Sequence, residues 1–224
     1  MRKLTEEKLA AERTRLEQMR EYEKLYSSCR AICGIDEAGR GPLAGPVVAG
    51  AVILPKDCEI LYLNDSKKLS EKRREELFSE IKEKAVAWNV GIADVDVIDK
   101  INILQATYEA MRNAIAGLSV PPDLLLNDAV LIPDVETKQV KIIKGDAKSV
   151  SIAAASIMAK VTRDHLMTEY DKQYPEYGFA KHKGYGTAVH IAAIKKYGAC
   201  PIHRKTFIGK FTGSQEKEPN EDNG

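Results

Sequence analysis

The stretch from Ile32 to Leu54 constrains the fold more than any other, because it carries two adjacent acids in apolar surroundings. A short apolar run leads to Asp36 and Glu37, a loop rich in glycine and proline follows, and Val47 to Leu54 predicts a second buried strand. Two carboxylates at the end of a core strand lower stability unless a cation or hydrogen-bond donors compensate them. Folding alone does not favour this arrangement, so we expect the acids to serve function.

Two further predicted strands also end in acids. Asp128 lies near the end of an apolar segment at 124–130, and Asp146 directly follows a segment at 139–144. A single acid at a strand end commonly caps a helix or forms a turn, but three strand ends with acids are harder to explain in that way. Since α/β proteins gather their sites at the carboxyl edge of the sheet, we expect these acids to meet the first pair there.

The remaining periodicity predicts an α/β fold in which a mixed five-stranded sheet is flanked by helices. A further strand is predicted at 88–95, and helices are predicted at 70–87, 96–116, 149–170 and 187–196. Residues 1–28 predict one helix, capped by Thr5 and only loosely packed, because its apolar stripe is thin among thirteen charged residues.

Charge is distributed unevenly along the 224 residues, although the net charge is only +1. Residues 178–211 carry seven lysines or arginines, three histidines and no acid, which favours an anionic partner such as nucleic acid. The four cysteines lack the spacing of a zinc site or a disulfide framework, which favours a reducing compartment. No apolar run is long enough to span a membrane and the N-terminus is charged, so we expect a soluble, cytoplasmic protein.

Three separated motifs resemble those of a known family. Residues 34–46 (GIDEAGRGPLAGP) resemble its first signature and residues 145–164 its second. The third corresponds to HKGYGT at 182–187 followed by PIHR at 201–204. By these motifs, nearly all of the chain between its two ends is similar to the bacterial ribonuclease HII branch of the type 2 ribonucleases H.

The resemblance implies an endonuclease that hydrolyses the RNA strand of RNA:DNA hybrids. It also implies incision of duplex DNA on the 5′ side of single embedded ribonucleotides, leaving a 3′ hydroxyl and a 5′ phosphate, which serves removal of misincorporated ribonucleotides and RNA primers. We expect a monomer. Its ribonuclease H-like catalytic domain would occupy 29–211, between a helical extension at 1–28 and a disordered acidic tail at 212–224.

The resemblance also assigns the residues of the site. Two divalent ions, Mn²⁺ or Mg²⁺, would be held by carboxylates, which are ligands that these ions prefer. The catalytic and metal-binding residues are Asp36, Glu37, Asp128 and Asp146. The substrate-binding residues are Gly39, Arg40, Gly41, Asn64, Lys67, Lys183, Tyr185 and Arg204. In this set the backbone of the Gly-Arg-Gly stretch would contact the 2′ hydroxyl, and the tyrosine ring would pack on the same sugar.

Two questions about the acids stay open at this point. Asp164 is a rival for the fourth acid; we prefer Asp146 because it follows a strand, whereas Asp164 lies within a predicted helix and can pair with Lys160 one turn away. Adjacent residues of a strand also point to opposite faces of the sheet. Either the strand ends or twists at Glu37, therefore, or a backbone carbonyl of Asp36 or Glu37 replaces the side chain as a ligand.

The sequence departs from the family pattern in two places. Asn127 stands before Asp128 where family members often carry an apolar residue, which predicts altered hydrogen bonding of that acid. The C-terminal helical extension of some members is absent, which predicts weaker hybrid binding.

Two rival functions are disfavoured. The glycine spacing at 39–45 is one residue too long for a dinucleotide site, and adjacent acids repel a pyrophosphate. A non-catalytic nucleic-acid-binding module would gain nothing from converging acids, which repel phosphate.

Overall fold

The computed structural model describes residues 5–212, and its centre is a single sheet of five strands. The strands are β1 (Ile32–Ala38), β2 (Val47–Ile53), β3 (Ala87–Ala93), β4 (Leu124–Asp128) and β5 (Gln139–Ile142). They lie in the order β3-β2-β1-β4-β5. β1 to β3 pair antiparallel, whereas β1, β4 and β5 run parallel to one another. The predicted mixed five-stranded sheet is therefore confirmed.

Helices cover both faces of this sheet. They are α1 (Glu6–Gln18), α2 (Glu21–Leu25), α3 (Glu71–Lys84), α4 (Val95–Ala116), α5 (Val150–Gln173), α6 (Phe179–His182), α7 (Ala188–Tyr197) and α8 (Lys205–Thr212). α4 packs on β2 and β3, and α5 packs across β1 and β2. A separate hydrophobic cluster lies under each of these two helices. Within residues 5–212, no helix is both long and apolar enough to cross a membrane.

Glycines in the first two strands let α5 approach the sheet closely. A Cβ atom added to Gly34 would lie 2.0 Å from the backbone carbon of Ser151, and one added to Gly50 would lie 2.3 Å from the carbonyl oxygen of Ala155. Such distances exclude any side chain, so glycine is required at both positions. The close approach also brings Ser156, one residue further along α5, next to the end of β1.

The N-terminal segment forms two helices rather than the single predicted one, and it packs closely. Leu16 and Met19 are buried in the cluster under α5, and Arg20 between the helices donates to the carbonyls of Lys56 and Cys58. One oxygen of Glu23 accepts from the hydroxyl of Ser149, at 2.6 Å, and from the backbone N–H of Ser151, at 3.0 Å. The expectation of loose packing is wrong, because buried residues of the apolar stripe and polar side chains together fasten these helices to the domain.

Several boundaries also differ from those predicted. α4 is interrupted at Asn102, which has a positive φ of 67° and whose side-chain oxygen accepts from the N–H groups of Leu104 and Gln105. Thr5 occupies the predicted cap position of α1, but its side chain makes no capping hydrogen bond. α6 and α8 were not predicted, and α8 extends to Thr212. The rest of the predicted acidic tail lies outside the described residues.

Candidate active site

The parallel strands bring Asp36, Glu37 and Asp128 to one edge of the sheet, whereas β5 ends earlier than predicted, at Ile142, and Asp146 lies in the turn that follows it. β4 ends at Asp128 and pairs with β1 only as far as Ile35, opposite Asn127. β1 continues beyond this last pair to Ala38, with Glu37 opposite Ala49 of β2. The strand therefore does not end at Glu37. Asp36 and Glu37 both follow directly after the point where the pairing of β1 with β4 ends.

Asp36 and Glu37 have different surroundings. Asp36 is buried, with 7% of the residue exposed, and its carboxylate hydrogen-bonds to Ser156 of α5 and accepts from the N–H of Glu37 at 2.8 Å. Glu37 is half-buried and lies 3.4 Å from the guanidinium of Arg40. One acid thus lies beneath α5, and the other lies nearer the rim with a cation beside it.

Asp128 is tied to the turn that carries Asp146. Its Oδ1 accepts from the N–H of Gly145 at 2.6 Å. That turn, Gly145–Ala147, follows Lys144, which has a left-handed backbone with φ of 58°. The hydrogen bond and the sharp turn together hold Asp146 close to the end of β4, although it belongs to a different strand connection.

The acids of this edge affect one another. Burial raises the pKa of Asp36 well above its ordinary value, and the charges of Glu37 and Asp128 raise it further. Burial likewise raises the pKa of Glu37, against the charge of Arg40. Burial, Asp65 and Asp128 raise the pKa of Asp146. These raised pKa values show that the positive charges and hydrogen-bond donors of the protein only partly compensate the negative charge of these carboxylates.

Lys67 is a second cation, besides Arg40, that the structure places among these acids. Although burial lowers its pKa, the charges of Asp36, Asp65, Asp146 and Asp128 raise it above the ordinary value overall. Asn64 lies close by in sequence, but its side chain caps the local turn by accepting from the N–H of Asp65 at 2.9 Å.

Asp65 and Ser156 are neighbours of the site that sequence reasoning missed. Asp65 is among the groups that raise the pKa of Asp146, and the hydroxyl of Ser156 lies 2.9 Å from that of Ser66 while also bonding Asp36. The motif at 64–67 pointed to this loop. It did not show that Asp65 of this loop would lie near Asp146, which is far away in the sequence.

Asp164 lies in a different setting. Its carboxylate is 2.6 Å from Lys160, as predicted, and 3.6 Å from Arg74. It is not among the main groups that shift the pKa of Asp36, Glu37 or Asp146. The preference for Asp146 as the fourth acid therefore stays a prediction, now supported by position.

Asn127 does not bond its neighbour Asp128. It is fully buried, and its amide donates to Gln139 at 2.8 Å, while its own oxygen has no partner. The expected effect of Asn127 on the hydrogen bonding of Asp128 is not seen, since the partner of Asp128 is Gly145.

The donor set suits a hard divalent cation, although the side chains do not yet enclose one. Among residues 5–212, no three acidic, histidine or cysteine side chains converge closely enough to hold a metal ion as they stand. Asp36 and Asp128 each accept a backbone N–H at one oxygen, and a carboxylate has about four lone-pair sites, so each still has acceptor capacity for a ligand. Oxygen donors with raised pKa values and little compensating charge fit Mg²⁺ or Mn²⁺.

Two buried arginines shape the loop between β1 and β2. Arg204 donates to the carbonyls of Gly39, Arg40 and Gly45, and it is fully buried. The expectation that Arg204 contacts substrate needs correction, because a guanidinium enclosed under this loop is out of reach of a phosphate. Burial lowers its pKa to about 9, helped by the charge of Arg163, so it stays charged at pH 7.

Arg163 is the second of these arginines, and sequence reasoning missed it. Its three donor nitrogens reach the carbonyls of Pro46, Lys183 and Ala44 at 3.0, 2.9 and 3.0 Å. A Cβ atom on Gly39, where φ is +97°, would lie 2.1 Å from its Nε. Arg163 thus links the loop after β1 to the segment that carries Tyr185.

Tyr185 lies beside the Gly-Arg-Gly stretch. Its side chain is exposed, and a Cβ atom added to Gly41 would lie 4.0 Å from its Cε1. The N–H of Leu43 donates to the carbonyl of Gly184 at 2.8 Å, which aligns the two segments. Lys183 is half-buried and its ammonium lies 3.1 Å from the hydroxyl of Thr168. The structure therefore brings together the loop and the tyrosine that the resemblance paired.

Comparisons with known proteins show which family the chain belongs to. A sequence model of the family described as Ribonuclease HII matches residues 33–210. A ribonuclease HII of Lachnoclostridium phytofermentans is 66% identical over 92% of this chain and 81% of its own length, and one of Ruminiclostridium cellulolyticum is 57% identical over 89% and 79%. The crystal structure of ribonuclease H2 from Pyrococcus horikoshii OT3 superposes with a TM-score of 0.69 at 30% identity, covering 82% of this chain and 97% of that one. The chain belongs to the ribonuclease HII family and is a metal-dependent endoribonuclease.

Proposed function

We propose that this enzyme hydrolyses the RNA strand of RNA:DNA hybrids and also incises duplex DNA on the 5′ side of single embedded ribonucleotides. The products would carry a 3′ hydroxyl and a 5′ phosphate. The observation that carries the proposal is the juxtaposition of an incompletely compensated acid cluster with a rigid Gly-Arg-Gly loop and an exposed tyrosine. The first suits phosphodiester hydrolysis, and the second suits recognition of a sugar.

Asp36, Glu37, Asp128 and Asp146 would hold two divalent ions, Mg²⁺ or Mn²⁺. When bound, these ions supply positive charge for the reacting phosphate and an activated water. The chain's own part is to hold the acids in place: Ser156 and the Glu37 N–H fix Asp36, and the Gly145 N–H fixes Asp128. In addition, Lys67 lies within the field of the acids, where it would contact the phosphate next to the cleaved bond.

Recognition of the ribose would fall to the loop and the tyrosine. Arg204 already donates to the carbonyls of Gly39 and Arg40, so the N–H groups of this stretch are the better candidates to bond the 2′ hydroxyl. Tyr185 would pack on the same sugar, from its position beside Gly41. A site built around a hydroxyl rejects a sugar that lacks it, because the polar groups of the protein are left unpaired.

The other expected contacts follow the backbone of the duplex. Arg40 is exposed next to Glu37 and Lys183 is half-buried on the far side of the loop, so both would meet phosphates on either side of the ribose. Asn64 would act indirectly, since its side chain is occupied in shaping the turn before Lys67.

A duplex with one ribonucleotide in an end-labelled DNA strand tests the proposal. With Mg²⁺ or Mn²⁺, the product should end one nucleotide before the ribonucleotide and carry a 3′ hydroxyl that a polymerase extends. A fully DNA duplex should stay intact. Cleavage on the 3′ side, or cleavage only of continuous hybrids, would refute the assignment.

Replacing the tyrosine tests how the ribose is recognised. Tyr185→Ala should lose most activity on the single ribonucleotide and much less on a continuous hybrid, where several cut sites compete. Measuring both substrates with the same preparation separates this effect from misfolding. Equal losses would mean that Tyr185 serves the fold, and recognition would rest on residues 39–41.

A further inference from the structure

The turn that carries Tyr185 is held by a chain of hydrogen bonds through two histidines. The carbonyl of Tyr185 lies 2.9 Å from Nδ1 of His190, and Nε2 of His190 lies 3.0 Å from Nε2 of His203. Nδ1 of His203 lies 2.9 Å from the backbone nitrogen of Cys200 and 3.0 Å from its Sγ. Both histidines are enclosed, with 0% and 2% exposed.

Both imidazoles are neutral at pH 7. Burial lowers the pKa of His190, and burial together with the neighbouring His190 lowers the pKa of His203 to about 4. Burial also raises the pKa of Cys200 to about 11, so its thiol keeps its proton. A neutral imidazole has one N–H donor and one acceptor nitrogen. Each ring of the chain therefore donates at one nitrogen and accepts at the other.

The two ends of the chain decide which nitrogen carries each proton. The Tyr185 carbonyl only accepts, so Nδ1 of His190 donates to it and Nε2 of His190 accepts. Nε2 of His203 must then donate, which leaves its Nδ1 to accept. The backbone N–H of Cys200, directed at that Nδ1, only donates. The Cys200 carbonyl also lies near that Nδ1, at 3.3 Å, but the N–H contact is shorter, so the closest contacts at both ends require the same direction and a single pair of tautomers satisfies them.

We propose that His190 and His203 are positioning residues for cleavage, which fix the carbonyl of Tyr185 and so hold its ring beside Gly41. The inference rests on the proposed contact of Tyr185 with the ribose. Burial does not hold the tyrosine ring, since the residue is 46% exposed. Its backbone is held instead: the carbonyl also accepts from the N–H of Thr187 at 2.8 Å, and its N–H donates to the carbonyl of His182 at 2.9 Å.

The first test is the tautomeric state of the two rings in the full chain. The protein has four histidines, so a sample labelled with ¹⁵N-histidine gives few signals, which spectra of His190→Asn and His203→Gln assign. At pH 7 we expect His190 to be protonated at Nδ1 and His203 at Nε2. The opposite tautomer at either ring, or a doubly protonated ring, would overturn the inference.

The second test compares two replacements of one histidine. His190→Leu removes both hydrogen bonds, whereas His190→Asn keeps an N–H donor near the position of Nδ1. We expect His190→Leu to lower kcat on a single embedded ribonucleotide about tenfold relative to kcat on a continuous hybrid, and His190→Asn to restore most of that ratio. His165→Leu is the matched control, because His165 is exposed and paired with Glu75; its ratio should not change.

A double-mutant cycle shows whether His190 acts through Tyr185. If it does, His190→Leu adds little to the loss already caused by Tyr185→Ala. Additive losses, or an unchanged ratio in His190→Leu, would overturn the inference. If Tyr185→Ala alone lowers both activities equally, the proposed contact with the ribose fails. In that case two results still test whether the histidines hold Tyr185: the tautomers of His190 and His203, and whether the losses of overall cleavage in His190→Leu and Tyr185→Ala are non-additive.

Discussion

Replacing Arg204 with Met separates a buried structural arginine from a phosphate contact. The replacement keeps the length of the side chain but removes its donors to the loop after β1, while the backbone N–H of residue 204 still donates to the carbonyl of Leu43. Of the carbonyls that Arg204 bonds, those of Gly39, Gly45 and Pro46 belong to buried residues, whereas Arg40 is exposed and its carbonyl can turn to water. Pro46 keeps the donor that Arg163 supplies, so two buried carbonyls, those of Gly39 and Gly45, lose the side-chain donor that matters here.

The size of the effect follows from these contacts. Each buried acceptor left unpaired costs about 1 to 3 kcal/mol, and removing a buried charge offsets part of this loss because the desolvation cost of the guanidinium disappears. We expect a net destabilisation of about 2 to 4 kcal/mol against a total stability of about 5 to 15 kcal/mol. For a protein of this size the melting temperature should fall by about 4 to 16 °C. Arg204→Lys, which retains the charge but fewer donors, should be intermediate.

Two measurements on the same variants decide the matter. Thermal unfolding is followed for Arg204→Met and for Lys205→Met, an exposed neighbour that should stay close to wild type. Hybrid binding is then measured as a function of salt, because a lost phosphate contact lowers the salt slope by about one. If Arg204 is a buried structural residue, Arg204→Met should have a lower melting temperature and an unchanged salt slope of hybrid binding. An unchanged melting temperature with a slope reduced by one would refute the reasoning.

Three further predictions concern the acids and the basic segment. Asp128→Asn should abolish turnover while leaving the metal-free protein folded and at least as stable, because one charge of the cluster is removed; an active Asp146→Asn beside an inactive Asp164→Asn would show that the fourth acid was chosen wrongly. Metal-free protein should lose stability as pH rises from about 4 towards the raised folded-state pKa of Asp36, since the folded state holds this proton more tightly than the unfolded state. Across this range the melting temperature should fall less steeply with pH in Asp36→Asn than in the wild type. An identical dependence on pH in both proteins would contradict the raised pKa. Lys183→Ala should lower the salt slope of hybrid binding by about one with little change in melting temperature, and an unchanged slope would place the duplex elsewhere.

Local sequence determined the strands and the acids that follow or end them. Alternating or continuous apolar residues report burial in a strand or helix, and an acid after such a run marks a strand end whatever lies beside it. The five strands, the glycine-rich loop after Asp36 and Glu37, and the pairing of Lys160 with Asp164 were predictable for this reason. Each of these features depends only on residues that are close together in the sequence.

Tertiary structure decided which groups meet across the chain. Arg204 bonds carbonyls 159 residues earlier in the sequence, and Arg163 joins two loops on either side of the tyrosine-bearing turn. A basic residue in a basic segment has the same local signal whether it faces solvent or lies under a loop, so its burial could not be predicted. The pattern of thirteen charges at the N-terminus likewise did not show that Arg20 and Glu23 would fasten two helices to the domain. Periodicity encodes how far a residue is buried, but hydrogen-bond partners far apart in the chain are set only when the elements pack.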